Sequence, residues 1–141
     1  MSLEHLLFTA GLLHFCQLPA MFVAPHMLDW KRELALLSPI NRRIVKVIGL
    51  SIMYVVLASG LLVMWSASEL TNGSKVSTGL TAFLAFLWLF RGSMQWSLYS
   101  KAWPSNKLGR LSHYGLGILF LGLAAIYLFA LAANLDLLSA E

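Results

Sequence analysis

The sequence predicts an all-α integral membrane protein: a four-helix bundle with a short interfacial helix after its first span. Only 11% of the 141 residues are charged and 59% are hydrophobic, whereas a soluble domain carries roughly 25% charged residues. Four apolar stretches reach the ~20 residues that a helix needs to cross a bilayer, at about 3–27, 44–66, 76–100 and 113–135. They use up the chain, so residues 1–141 form one domain.

Charge and cysteine content exclude several classes of function. The net charge is +4, but the basic residues lie at the predicted helix ends, which argues against a nucleic-acid partner. Cys16 is the only cysteine, so an internal disulfide and a cysteine-based metal site are excluded. No Ser/His/Asp set or Cys/His pair falls in a plausible arrangement, which argues against hydrolysis.

The distribution of Lys and Arg predicts the topology. Eight of the ten basic residues lie in the connections between helices 1 and 2 and between helices 3 and 4. Such loops face the cytoplasm, so both termini are expected outside, in a bacterial inner membrane. The start of the chain has no basic segment or small-residue cleavage site, and helix 1 is therefore expected to be retained.

Helix 1 carries polar residues in the middle of its apolar run. His14 and Gln17 are three residues apart and share a face. Pro19 removes a backbone donor and predicts a kink near Phe15. Two interpretations stay open: the kink opens a pocket beside His14, or His14 and Gln17 hydrogen-bond across the bundle.

The connection from helix 1 to helix 2 is predicted to be structured. Apolar residues recur at helical spacing, and Trp30 would anchor this short helix in the interface. Ser38-Pro39 should end it, and Asn41 is expected to cap helix 2. The small residues of helix 2 predict close packing on a neighbour; they are Gly49, Ala58, Ser59 and Gly60.

Arg91 is the chemical centre of helix 3, at roughly 15 Å from Lys101 at 1.5 Å per residue. An arginine inside an apolar run needs an acceptor, a wet cavity or an anionic ligand. Trp88 and Gln95, at i−3 and i+4, lie on its face. Arg91 is either a strut bonded to backbone carbonyls freed by Pro19, or a clamp for a carboxylate, quinone oxygen or propionate.

Three histidines are candidate haem or metal ligands. His14 is a candidate axial haem ligand, and His26 and His113 would share a metal ion if helices 1 and 4 touch. His113 is expected to open helix 4. The chain has no His-x-x-x-His or Glu-x-x-His pair, so this metal pattern is weak.

The first loop resembles that of a known group of proteins. Residues 28–42 read Leu-Asp-Trp-Lys-Arg-Glu-Leu-Ala-Leu-Leu-Ser-Pro-Ile-Asn-Arg. This segment is similar to the first loop of small bacterial four-helix membrane proteins of unassigned function. The resemblance supports the architecture and implies no activity.

A second resemblance concerns the HemJ-type protoporphyrinogen oxidases and copper-resistance-D-like proteins. The pattern is His5, then Leu-Pro-x-x-Phe-Val-x-x-His over residues 18–26, then Arg42-Arg43. It implies haem or porphyrin redox chemistry, with His5 and His26 matching family histidines. Ala20 stands where that family usually has a basic residue.

The leading hypothesis is a small redox membrane protein associated with haem b or a quinone. His14 or His26 with His113 would ligate the cofactor or relay protons. Arg91 and Gln95, with Gln17 and Trp88 nearby, would bind an anionic or carbonyl group.

Two alternatives need no cofactor. The first is a non-catalytic accessory subunit of a larger membrane complex or homo-oligomer, with Arg91 as a buried strut. The second is small-solute permeation, which the lack of an internal repeat disfavours. Whether the protein is an enzyme stays open.

Overall fold

The computed structural model describes residues 2–99, 103–104 and 106–139, apart from the side chain of residue 138. Within these residues the fold is all-α, as predicted. The helices are α1 (Leu3–Phe15), α2 (Leu18–Met27), α3 (Trp30–Glu33), α4 (Pro39–Trp65), α5 (Lys75–Ser97) and α6 (Lys107–Ser139). In this described part, four segments are long and apolar enough to cross a membrane: Leu3–Met27, Pro39–Trp65, Lys75–Ser97 and Lys107–Leu137. The chain is a small membrane protein.

The first span is broken in its middle. α1 ends at Phe15 and α2 begins at Leu18. Pro19 has no N–H to donate to the Phe15 carbonyl, and the backbone N–H of Cys16 instead bonds to the Leu13 carbonyl at 3.1 Å. The predicted kink near Phe15 is confirmed. α2 contains no buried residue, so the second half of this span packs loosely.

The predicted starts of helices 2 and 4 were too late. α4 begins at Pro39, where Ser38 is the cap: its Oγ accepts the backbone N–H of Asn41 at 3.4 Å. The expectation that Asn41 caps this helix was therefore wrong, because proline is favoured at the first helical position and serine directly before it. α6 begins at Lys107, so His113 lies nearly two turns inside the helix and does not open it.

The interfacial helix is shorter than predicted. α3 covers Trp30–Glu33 and continues as one 3₁₀ turn over Leu34–Leu36. Asp29 precedes it with a φ of 46°, a left-handed conformation that Asp tolerates better than most residues. Arg42 then donates to the carbonyls of Leu34, Ala35 and Leu37. The connection is thus held against the first turns of α4.

The helices form two antiparallel pairs. α5 packs most extensively on α6, and α1 packs on α4; contacts between α1 and α6 join the pairs. Gly60 lets α4 approach α1 closely, since a Cβ there would lie 2.9 Å from the Cβ of His14 and 3.0 Å from the Gly11 carbonyl oxygen. The packing role of Gly60 is confirmed, whereas Gly49 faces open space. α4 and α5 do not pack along their lengths.

Asn134 fastens the connection between α4 and α5 to α6. Its side chain is fully buried. The amide oxygen accepts the Gly73 N–H at 3.0 Å, and the amide nitrogen donates to the Leu70 carbonyl at 2.9 Å. These bonds satisfy backbone groups that the turn would otherwise leave unpaired.

Candidate functional site

His14 is locked into the core by Trp88. The Trp88 indole N–H donates to Nε2 of His14 at 3.0 Å, and both side chains are buried. Because Nε2 is the acceptor, the neutral ring carries its proton on Nδ1. The Tyr127 ring stacks on the other side, with centroids 6.0 Å apart. Of the two interpretations made for His14 and Gln17, a hydrogen bond across the bundle is observed for His14 but not for the side-chain nitrogen of Gln17.

Gln95 is paired with His113 and not with Arg91. Its side-chain nitrogen lies 3.0 Å from Nδ1 of His113 and 3.4 Å from the His113 carbonyl oxygen. Gln95 is fully buried, and the amide N–H donates to Nδ1, which puts the ring proton on Nε2. The rings of Trp96 and Tyr114 contact His113, with centroids 5.4 and 5.3 Å away.

The three candidate ligand histidines occupy different surroundings. His14 and His113 each have one ring nitrogen already hydrogen-bonded, and His26 is exposed at the end of α2. Among the described residues no three His, Cys, Asp or Glu side chains cluster as metal ligands. Haem or metal ligation by these histidines stays a prediction.

Arg91 is half-buried among aromatic rings. Its Cζ lies 5.0 Å from the centroid of Phe120 and 5.5 Å from that of Tyr99. Contacts of this kind over ring faces are attractive for a cation. In the described part of the chain no carboxylate lies within 4 Å of the guanidinium and no carbonyl accepts from it. The predicted structural role of Arg91, in which it bonds to backbone carbonyls freed by Pro19, is therefore not observed.

Arg91 lies nearer to the end of its helix than the predicted span of residues 76–100 implies. Lys101, from which the distance was counted, lies outside the described residues, and α5 ends at Ser97. Arg91 is thus about 9 Å from the end of its helix at 1.5 Å per residue. Its side chain extends toward Tyr99, beyond that end, so it does reach toward the interface.

Gln17 lies at the break of the first span and is only 4% exposed. Its side-chain nitrogen is buried and has no hydrogen-bond partner among the described residues. A buried donor without a partner costs about 1–3 kcal/mol. An acceptor supplied by a ligand would remove that cost.

Two cavities meet at Gln17, Met21 and Arg91. The larger, here called the lateral cavity, has a volume of about 400 Å³ and lies between α2, α4 and α5. The smaller, the α6 cavity, has about 110 Å³ and lies between α2 and α6, where Phe120 and Ser112 line it. Trp88 also lines the lateral cavity, whereas Gln95 lines neither. Three of the four predicted ligand-binding residues are thus brought together.

Sequence reasoning missed the contribution of α4. This helix was assigned to packing alone, yet Ser51 and Ser59 line the lateral cavity along with apolar neighbours. The sequence did contain one indication of this role, since these serines are among the few polar residues of an otherwise apolar span. Phe120 and Tyr99, which contact Arg91, carry no sequence signal because aromatic residues are common in such helices.

The chain matches no family model, no curated protein and no solved structure in the comparisons made. The two resemblances in the sequence therefore stay predictions, neither supported nor refuted. Function has to be argued from the geometry of the site.

Proposed function

We propose that this membrane protein binds a lipophilic molecule whose carbonyl or carboxylate oxygen lies against Gln17 and Arg91, with a quinone as the leading candidate. The observation that carries the proposal is the buried, unpartnered amide nitrogen of Gln17 in the same cavity as Arg91. Both groups are hydrogen-bond donors, so the ligand that complements them supplies acceptor oxygens.

The charge of Arg91 points to the same ligand chemistry. The guanidinium contacts the faces of aromatic rings. Ring faces attract a cation, but they do not accept hydrogen bonds from its five N–H groups as an oxygen atom does. A planar fork of donors suits a carboxylate or a pair of carbonyl lone pairs. The shorter side chain of Gln17 and the longer side chain of Arg91 would together bind one oxygen-bearing head group of the ligand.

The walls of the lateral cavity suit an apolar ligand body. Besides the two donors, most of the lining residues are aliphatic or aromatic, and 400 Å³ lies in the range of small-molecule sites. Ile48, Ile52 and Phe90 on its rim are exposed, so they would face lipid in a membrane. Because α4 and α5 do not pack along their lengths, a lipophilic ligand would enter sideways from the bilayer.

His14, a side chain able to carry a proton, lies behind the Trp88 wall of the lateral cavity. It is hydrogen-bonded to Trp88, a wall residue of the lateral cavity, and imidazole is a common proton carrier. A redox role would follow from quinone binding only if protons and electrons reach the head group. Proton transfer to His14 would need a carrier other than Trp88, because the indole N–H donates a hydrogen bond but accepts none.

The test is ligand binding by the purified protein. Solvent extracts of the protein would be assayed for quinone, and a short-chain quinone would be titrated into protein freed of lipid. Losing a hydrogen bond from a charged group costs about 1.5–3 kcal/mol, which is roughly a ten- to hundred-fold loss of affinity. Arg91→Lys is expected to show this loss, and Gln17→Leu a smaller one.

The matched control is Arg43→Lys, because Arg43 is exposed and lines neither cavity. It should bind the quinone like the unmodified protein. The proposal fails if no quinone is extracted and none binds, or if Arg91→Lys and Arg43→Lys bind equally. Stoichiometric co-purification of other membrane subunits in that case would favour the accessory-subunit alternative.

A further inference from the structure

A separate cavity of about 410 Å³ lies at the basic end of the bundle. It is enclosed by the end of α2, the α3 segment and the start of α4, and we call it the basic cavity. Three of its lining residues are cationic: Lys31, Arg42 and Lys46. It shares no lining residue with the lateral cavity or the α6 cavity.

The fold preorganises one of these cations. The Arg42 Nε donates to the Leu34 carbonyl at 2.8 Å, and Nη2 donates to the carbonyls of Ala35 and Leu37 at 3.0 and 3.4 Å. A guanidinium has five N–H groups. These bonds therefore fix the position of Arg42 while the N–H groups of Nη1 keep no acceptor among the described residues.

The other two cations flank that fixed group. Lys46 lies one turn after Arg42, on the same face of α4. Lys31 comes from α3, and both lysines are exposed. α3 and the start of α4 thus place three positive charges around one cavity.

Among the described residues, no acidic group lines this cavity. Asp29 and Glu33 are the acids of the same connection, and neither lines it. Within the part of the chain that the structure describes, neither comes within 4 Å of the three basic side chains as an ion pair. The site therefore keeps a net positive charge for an external anion.

The uncharged lining residues place the cavity at the membrane surface. Pro25 lies near the end of the first span, and Trp30, which follows that span, is half-buried. Tryptophan is enriched at the level of lipid head groups. Basic pockets between the cytoplasmic ends of spans bind anionic head groups.

We propose that the basic cavity binds a phosphate group, carried by an anionic phospholipid head group or by a free phosphate compound. Lys31, Lys46 and the Nη1 side of Arg42 supply the donors, and Trp30, Leu34 and Pro25 contact the apolar part of a lipid. The ammonium groups bind the phosphate as point charges, while the guanidinium adds directed hydrogen bonds. This site is independent of the quinone site.

The test is a titration of the delipidated full chain followed by native mass spectrometry. The probes are phosphatidylglycerol, phosphatidylcholine and inorganic phosphate. A lysine near the membrane surface contributes roughly a fivefold gain in binding of an anionic lipid. Lys31→Gln with Lys46→Gln is therefore expected to weaken phosphatidylglycerol binding about thirty-fold. Arg42 stays unchanged because it holds the α3 segment.

The control variant removes the same charge elsewhere. Lys107→Gln with Arg110→Gln changes two exposed basic residues near the start of α6, outside the basic cavity, and should bind phosphatidylglycerol like the unmodified protein. Displacement of phosphatidylglycerol by millimolar inorganic phosphate identifies a free phosphate compound as a ligand. Tight binding without displacement identifies the lipid head group. Equal binding of the two lipids, or equal losses in the two double variants, overturns the proposal.

Discussion

The hydrogen bond between Trp88 and His14 predicts a measurable coupling across the bundle. It joins α5 to α1, and its two side chains are 3% and 0% exposed. Nδ1 of His14 has no partner among the described residues. Trp88→Phe would thus leave Nε2 of the imidazole without a partner, a cost that water cannot relieve at a fully buried site.

The magnitude follows from the burial. Hydrogen bonds between helices in membrane proteins average about 0.6 kcal/mol and reach about 1.7 kcal/mol. Complete burial puts this bond near the upper end, and we expect a coupling free energy of about 1–2 kcal/mol between Trp88 and His14. Trp88→Phe alone should cost more, about 2–4 kcal/mol, because it also removes buried indole surface.

The assay is a double-mutant cycle on unfolding in mixed detergent. The free energy of unfolding would be measured for Trp88→Phe, His14→Phe and the double variant. Trp96→Phe is the matched control, since Trp96 is 39% exposed and has no hydrogen bond to His14. A coupling free energy below about 0.3 kcal/mol, or equal costs for Trp88→Phe and Trp96→Phe, would refute the reasoning.

Two further substitutions test the packing of α4 on α1 and the connection between α4 and α5 by the same unfolding measurement. Gly60→Ala should destabilise by about 1–3 kcal/mol, because the new Cβ would lie 2.9 Å from that of His14; Gly49→Ala, with open space, should be neutral or stabilise by up to about 1 kcal/mol. If the two alanines have equal effects, the close approach of α1 and α4 is wrong. Asn134→Leu should cost about 1–3 kcal/mol by stranding the buried Gly73 N–H and the Leu70 carbonyl. Unchanged stability together with unchanged hydrogen exchange at Gly73 would contradict that role.

The positions of the spans could be predicted from composition because the requirement is local. A helix in hydrocarbon must satisfy its own backbone, and about 20 apolar residues are needed to cross. The break near Phe15 was equally local, since it follows from the missing N–H of Pro19. The starts of α4 and α6 were harder to predict from the sequence. These helices begin at Pro39 and Lys107, which lie outside the apolar stretches that located the spans.

The partners of the polar side chains depend on how the helices pack. Helix periodicity put Gln95 and Arg91 on one face, but α6 brings His113 to Gln95 and leaves Arg91 among aromatic rings. In the same way, Nε2 of His14 accepts a hydrogen bond from the indole N–H of Trp88, which lies 74 residues away in the sequence. No spacing rule within a single helix reports such a pairing.

The sequence by itself therefore determined that this chain is a helical membrane protein, where its spans lie and where the first one breaks, because each of these follows from residues close together in the chain. Only the tertiary structure decided which polar groups are already satisfied. It showed that His14, Gln95 and Asn134 each make a side-chain hydrogen bond to another segment of the chain, whereas the side-chain nitrogen of Gln17 has no partner among the described residues, and it placed Gln17 in a cavity with Arg91. The physical reason is that a buried hydrogen bond depends on the meeting of two helices, and one helix alone does not specify its partner.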